Sequence, residues 1–184
     1  MSRQDIASVT VRREQVADAH EIRDVVTDAF QRPEVGELVD GLRASAAWGD
    51  GLSFVAEHGG QTVGHILYTH AFLDAPARLV DVLVLSPLGV RRAFQGRGIG
   101  SLLVRRSLEV VDAHDEPLVF LEGSPDFYPR FGFERGSTYG LTAPSVRIPD
   151  AAFKVRRLPT YESWMTGALV YPDPFWRFDC VGLR

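Results

Sequence analysis

Between Arg91 and Ser101 the chain reads RRAFQGRGIGS, with Gly96, Gly98 and Gly100 at alternate positions in an arginine-rich turn. A glycine turn that opens a helix presents several backbone N–H groups at the positive end of the helix dipole. The chemistry on offer is anion binding, and phosphate suits such a turn. A nucleoside-triphosphate loop needs a Lys and then Ser or Thr after its last glycine. Here Gly100 is followed by Ser101 and Leu102, and the single lysine, Lys154, lies far along the chain. The dinucleotide fingerprint G-x-G-x-x-G has a different spacing. The structural alternative is a strand-to-helix turn whose glycines serve tight packing alone. His58, His65 and His70 share no metal-ligand spacing, so no metal is expected. Each reads as a packed or surface histidine, with a cleft-facing His70 as the alternative.

The elements around the turn can be read from periodicity. Val82–Leu88 is mostly apolar, as in a strand buried on both faces, and apolar residues from Ile99 onward read as a helix. Pro117–Gly123 is a short apolar strand, so strand, helix and strand form a right-handed parallel unit. Upstream, Ala7–Arg13 alternates like a half-buried strand. Asp18 and Glu21 form a capping-box pattern for a helix carrying Ile22, Val25, Val26, Ala29 and Phe30. Pro33 breaks that helix, and Glu34–Ala44 forms a second. Leu52–His58 and Gln61–Asp74 flank Gly59-Gly60 as a hairpin. The sheet is therefore mixed. Gly136–Asp150 reads as a loop with one short strand, followed by strands at Phe153–Leu158 and Gly167–Tyr171.

At 184 residues the chain reads as a single domain over 1–184, with a core over about 7–135 and C-terminal strands and an aromatic tail over 136–184. A net charge of −4 without long single-sign runs argues against nucleic acid as a partner. A lone cysteine, Cys180, excludes an intrachain disulfide and a cysteine metal cage. The N-terminal residues lack a signal-peptide core and no stretch suits a membrane span, which sets the expectation of a cytoplasmic protein without a membrane partner.

Gln95-Gly96-Arg97-Gly98-Ile99-Gly100, preceded by Leu88-Gly89-Val90, resembles the Q/R-x-x-G-x-G/A pyrophosphate loop of the GNAT superfamily of acyl-CoA N-acyltransferases. VAEHGGQTVGHILY resembles that superfamily's second and third strands. GSPDFYPRFGF (Gly123–Phe133) resembles the G-x-P-x-Y-Y-x-R-F-G-F segment of the small bacterial YhbS-like branch, and YPDPFW resembles that branch's terminal segment. Together these cover the chain from the first strand to about Phe175.

The resemblance implies an α/β (α+β) fold: a mixed, mostly antiparallel twisted sheet, flanked by helices, whose two parallel strands splay apart. It implies acetyl-CoA as cosubstrate. The pyrophosphate would lie on Gln95, Gly96, Arg97, Gly98, Ile99, Gly100 and Ser101, and the pantetheine along Leu88, Gly89 and Val90. Direct attack by a primary amine, with no covalent enzyme intermediate, would follow. Tyr128 takes the place of the tyrosine that protonates the leaving thiolate. A phenol pKa of about 10 keeps that proton available at neutral pH.

Relatives usually carry a small or hydrophobic residue where this chain has Glu122, and Asp-Pro where it has Ser124-Pro125. Glu122 could be a general base or a salt-bridged rim residue. Asp81 and Ser86 are further candidates, and Glu34 and Glu37 border the expected acceptor site or lie on a solvated helix face. The acceptor would be a small-molecule or peptide amine. The aromatic tail packs the core, walls the acceptor pocket or forms a homodimer face. The rival readings are a CoA-binding regulatory module without transferase activity and an acyltransferase for a longer acyl-CoA.

Overall fold

The computed structural model describes residues 8–182. Its strands are β1 (Val9–Arg13), β2 (Trp48–His58), β3 (Gln61–Asp74), β4 (Leu79–Val90), β5 (Leu118–Glu122), β6 (Glu134–Arg135), β7 (Leu141–Thr142), β8 (Phe153–Arg157) and β9 (Gly167–Val170). The helices are α1 (Ala19–Phe30), α2 (Pro33–Arg43), α3 (Ile99–Val111) and the short α4 (Asp173–Arg177). The sheet runs β1-β2-β3-β4-β5-β8-β6, with β9 joined to the far end of β3 and β7 to β9. Pairing is antiparallel except at β4–β5 and the short β7–β9. This is the mixed sheet expected. Ala7, the expected start of the first strand, and the remaining terminal residues lie outside the described part.

Apolar side chains fill both faces of the sheet. On one face α1 and α2 lay Ile22, Val26, Leu38 and Leu42 against Leu67, Val84 and Phe120. On the other, Leu103, Val104 and Leu108 of α3 meet Ile66, Leu83 and Val119. The central strands are thus covered twice, which explains their near-continuous apolar character. On the α3 face the Tyr68 hydroxyl finds its partner in Ser107 Oγ at 2.8 Å.

Two local expectations are corrected. Asp18 does not cap α1; its carboxylate accepts from Arg12 at 2.6 and 2.9 Å and from the Gln15 N–H at 2.7 Å. Glu21 instead accepts from the Thr62 N–H at 3.1 Å, which ties α1 to β3. Pro33 opens a helix rather than ending one. Gln31, at a left-handed φ of 54°, stops α1, and Pro33 starts α2, where its missing N–H costs nothing. The tail segment after β9 forms α4 and packs Phe175 into the α1–α2 face core.

Phe120 is fully buried at the centre of that core and stacks on Phe153, with ring centroids 5.5 Å apart. Phe120→Ala is expected to lower the unfolding free energy by about 3–5 kcal/mol, measured by urea titration. A loss under about 1 kcal/mol would contradict this packing.

Candidate active site

Among the described residues β4 and β5 pair only at Leu83–Val119 and Val84–Phe120. Beyond that point β4 continues to Val90 along β3, while β5 follows β8 to Glu122. The strands separate, and the β5-facing edge of β4 from Leu85 onward has no strand beside it. Backbone polar groups on such an edge need a partner. An extended ligand with amide groups can supply one.

The glycine turn closes the same end of the sheet. Gly96 and Gly98 have φ of 72° and 86°, a backbone region open to glycine at no cost. Gly98 is the N-cap of α3 and no side chain caps the helix, so its first N–H groups remain available to an anion. Gln95 Nε2 donates to the Val90 carbonyl at 2.9 Å and Arg97 Nη2 to the Ala93 carbonyl at 2.7 Å, holding the turn against the end of β4.

A cavity of about 480 Å3 occupies the splay. Leu88, Val90, Gln95 and Gly100 line it from β4 and the turn, Glu122 and Tyr128 from β5 and the segment after it, and Phe30, Arg32, Val35 and Leu38 from the α1–α2 corner. Tyr128 is positioned by its neighbours. Its ring packs edge-on to Phe127 at 4.9 Å and Phe133 at 5.8 Å. A Cβ on Gly123 would come within 2.5 Å of it, so glycine is required there. No described protein group hydrogen-bonds the Tyr128 hydroxyl, and burial pushes its pKa above the ordinary phenol value. The phenol therefore stays protonated at neutral pH.

Glu122 behaves in the opposite sense to a surface carboxylate. Burial raises its pKa to about 7, against smaller downward effects of the Gly182 N–H and Arg147. None of the ion pairs among the described residues includes it, so the salt-bridged alternative does not hold. A carboxyl group that changes charge near neutrality inside a cleft is what proton abstraction requires.

Not every residue named from the sequence reaches the cavity. Gly89 turns away from it: a Cβ there would meet Ala29 and Val26 of α1 at 3.3 and 3.4 Å. Ile99 packs into the α3-face core. Gly96, Arg97, Gly98 and Ser101 belong to the turn and the first residues of α3 beside the cavity. Ser86 lines the cavity, whereas Asp81 lies in a different depression. Glu34 and Glu37 are outside the lining; Glu34 pairs with Arg32 at 3.7 Å. His70 does not face the cleft, since it pairs with Glu116 at 3.1 Å. His65 is fully buried, with Nε2 at 2.9 Å from Ser53 Oγ. Sequence reasoning missed Arg32, Cys180 and Gly182 as cavity residues. No local motif marks them: Arg32 sits in the short α1–α2 connection, and the tail with Cys180 and Gly182 reaches the site only through the fold.

A mixed sheet opened at one parallel pair, with a glycine turn and a helix start at the opening, is the architecture of the GNAT acyltransferases. The sequence profile of the acetyltransferase (GNAT) family matches residues 19–133, and the chain belongs to that family. It is 33% identical over 162 residues to the uncharacterized N-acetyltransferase YjhQ of Escherichia coli K12, covering 86% of this chain and 89% of that one. Its structure is similar to that of Escherichia coli YhbS, solved in complex with CoA, with a TM-score of 0.82 at 26% identity and 93% of each chain covered. It is also similar to a GNAT acetyltransferase of Brucella melitensis solved with acetyl-CoA, with a TM-score of 0.72 at 31% identity, covering 91% of this chain and 97% of that one. No helix among the described residues is long and apolar enough to cross a membrane.

Cys180 lines the cavity, but burial raises its thiol pKa to about 11. Only the thiolate is nucleophilic. The folded protein is therefore expected to react with Ellman's reagent at pH 8 on the order of a hundredfold more slowly than the urea-unfolded chain. Equal rates would contradict the packing of this segment.

Proposed function

We propose that the protein is an N-acetyltransferase that moves the acetyl group of acetyl-CoA to a primary amine by direct attack. The observation that carries this reading is the convergence of Glu122 and Tyr128 on one cavity at the mouth of the β4–β5 splay, a carboxyl that changes charge near neutrality beside a phenol that stays protonated. The α3 N-terminus and the glycine turn suit the pyrophosphate, and the unpaired edge of β4 suits the pantetheine amides. YhbS binds CoA and the Brucella relative binds acetyl-CoA, which supports the same ligand here.

In this reading an acceptor enters as an ammonium ion. Glu122 in its anionic form takes one proton, directly or through water, and frees the nitrogen lone pair. The amine attacks the thioester carbonyl, the C–N bond forms and the C–S bond breaks. Backbone N–H groups at the end of β4 face the developing oxyanion. Tyr128 gives its proton to the departing sulfur and is reprotonated as the second nitrogen proton leaves. No covalent enzyme intermediate is needed, and Cys180 has no part in the chemistry.

The test is thiol release from acetyl-CoA against a panel of small and peptide amines. Tyr128→Phe is expected to lower kcat roughly 10²-fold while acetyl-CoA binds as before. For the unmodified protein kcat/KM should rise as pH increases through about 7, because the base works only after losing its proton. Glu122→Gln should remove that limb. An unchanged kcat in Tyr128→Phe would remove Tyr128 from the acid role, and a panel giving no thiol release would contradict the transferase reading.

A further inference from the structure

No cation among the described residues lies in ion-pair range of Glu122, yet its carboxylate is not left alone. The Gly182 N–H donates to it, at 3.0 Å from one oxygen and 3.3 Å from the other. The groups that sense or alter its charge come from several elements. Arg147 lies in the loop before β8 and favours the anion. Tyr171 follows β9 and Cys180 lies in the tail; both feel the Glu122 charge. Tyr128 and Arg32 share the cavity. The strand partner of Glu122 on β8 is Phe153, which is apolar.

The segment that supplies this N–H is fastened at each residue. Arg147 Nη1 meets Asp179 Oδ1 at 2.7 Å, and Arg32 Nη2 donates to the Asp179 carbonyl at 3.2 Å. The Cys180 N–H donates to the Phe175 carbonyl at 2.9 Å. Val181 is fully buried. Gly182 adopts a φ of 90°, and a Cβ there would sit 2.9 Å from Arg147 Cβ and 3.2 Å from its carbonyl oxygen. A side chain is excluded at the position whose N–H reaches Glu122, as a close backbone approach requires.

We propose that the tail segment Asp179–Gly182 is a working part of the acceptor end of the site, with Gly182 as a positioning residue. Its N–H orients the Glu122 carboxylate and helps hold it as an anion, and Arg147 and Arg32 latch the segment in place. A neutral backbone donor suits this task better than a lysine or arginine. A directly paired cation would pull the carboxyl far below neutrality and repel the incoming ammonium. One N–H fixes the orientation and leaves the proton affinity near working pH. This inference rests on the reading of Glu122 as the base.

The test replaces the donor while leaving every side chain in place. Cys180 permits ligation of residues 1–179, made as a thioester, to a synthetic 180–184 segment in which glycolic acid replaces Gly182. The N–H becomes an ester oxygen while the tail keeps its length and bulk. The Glu122 titration is followed by NMR of the δ-13C-labelled glutamates, and its signal is assigned by its loss in Glu122→Gln. The ester form is expected to titrate about one pH unit higher than the all-amide ligated control. An unchanged or lower midpoint would overturn the proposal. The latch is read separately by Cys180 labelling. Arg147→Ala should react about tenfold faster than the unmodified protein, and Arg147→Lys should stay slow. Equal rates in Arg147→Ala would overturn the latch. The titration needs no acceptor. A failed tail proposal therefore leaves the base assignment standing, whereas full transfer activity in Glu122→Gln would defeat that assignment on its own.

Discussion

Everything at the site depends on the parting of β4 and β5 after Val84 and Phe120. A parallel pair joined by a helix would ordinarily stay hydrogen-bonded along its length. Here each strand has a stronger claim on the other side. β4 remains with β3 to Val90, across a register shift between Ile66 and Tyr68. β5 remains with β8 over all its residues. The sheet behaves as two half-sheets hinged at a short shared ladder. The open end leaves a wedge between them, and α3 starts at that wedge because the turn leaving β4 must cross it.

The electrostatics of the wedge follow from what surrounds it. Elsewhere carboxylates are satisfied by arginines: Asp18 by Arg12, Glu14 by Arg43, Asp112 by Arg156. Such a pair can hold a carboxyl group ionised well below neutrality, and at Asp18 the pKa is lowered first of all by Arg12. Glu122 is the contrast. It is half-buried with no ion pair among the described residues, and desolvation dominates and moves it up to about 7. Tyr128 is moved the same way by burial and is kept protonated. One cause, removal from water, leaves a carboxyl able to accept a proton and a phenol able to give one. The opposing roles come from their different ordinary pKa values, not from different environments.

Much of this was legible along the chain. The glycine turn, the strand–helix–strand unit, the hairpin at Gly59-Gly60 and the aromatic segment around Tyr128 are local patterns, and each forms where its spacing places it. What stayed hidden is non-local or depends on competition. The Asp18 capping pattern was present, but Arg12 on the neighbouring strand takes the carboxylate first. Pro33 reads equally as a stop or a start, and Gln31 in a left-handed conformation decides between them. The state of Glu122 could not be read, because an ion pair and a lone burial look identical in sequence. Its hydrogen-bond partner among the described residues, Gly182, comes from the far end of the chain.

Acetyl-CoA in the wedge, with its phosphates at the start of α3, is the proposed ligand on which the transferase reading depends, and thermal unfolding tests it directly. At about a hundred times its Kd the ligand should add roughly 2.7 kcal/mol of stability. Gly98→Asp is the informative comparison. At a φ of 86° aspartate strains the turn, so the variant's own far-UV spectrum and unfolding transition must show it folded, and its charge and bulk sit where the phosphates belong. The account predicts a clear upward shift in Tm for the unmodified protein and none for Gly98→Asp, with both folded. No shift in the unmodified protein, or equal shifts in the two, would contradict it.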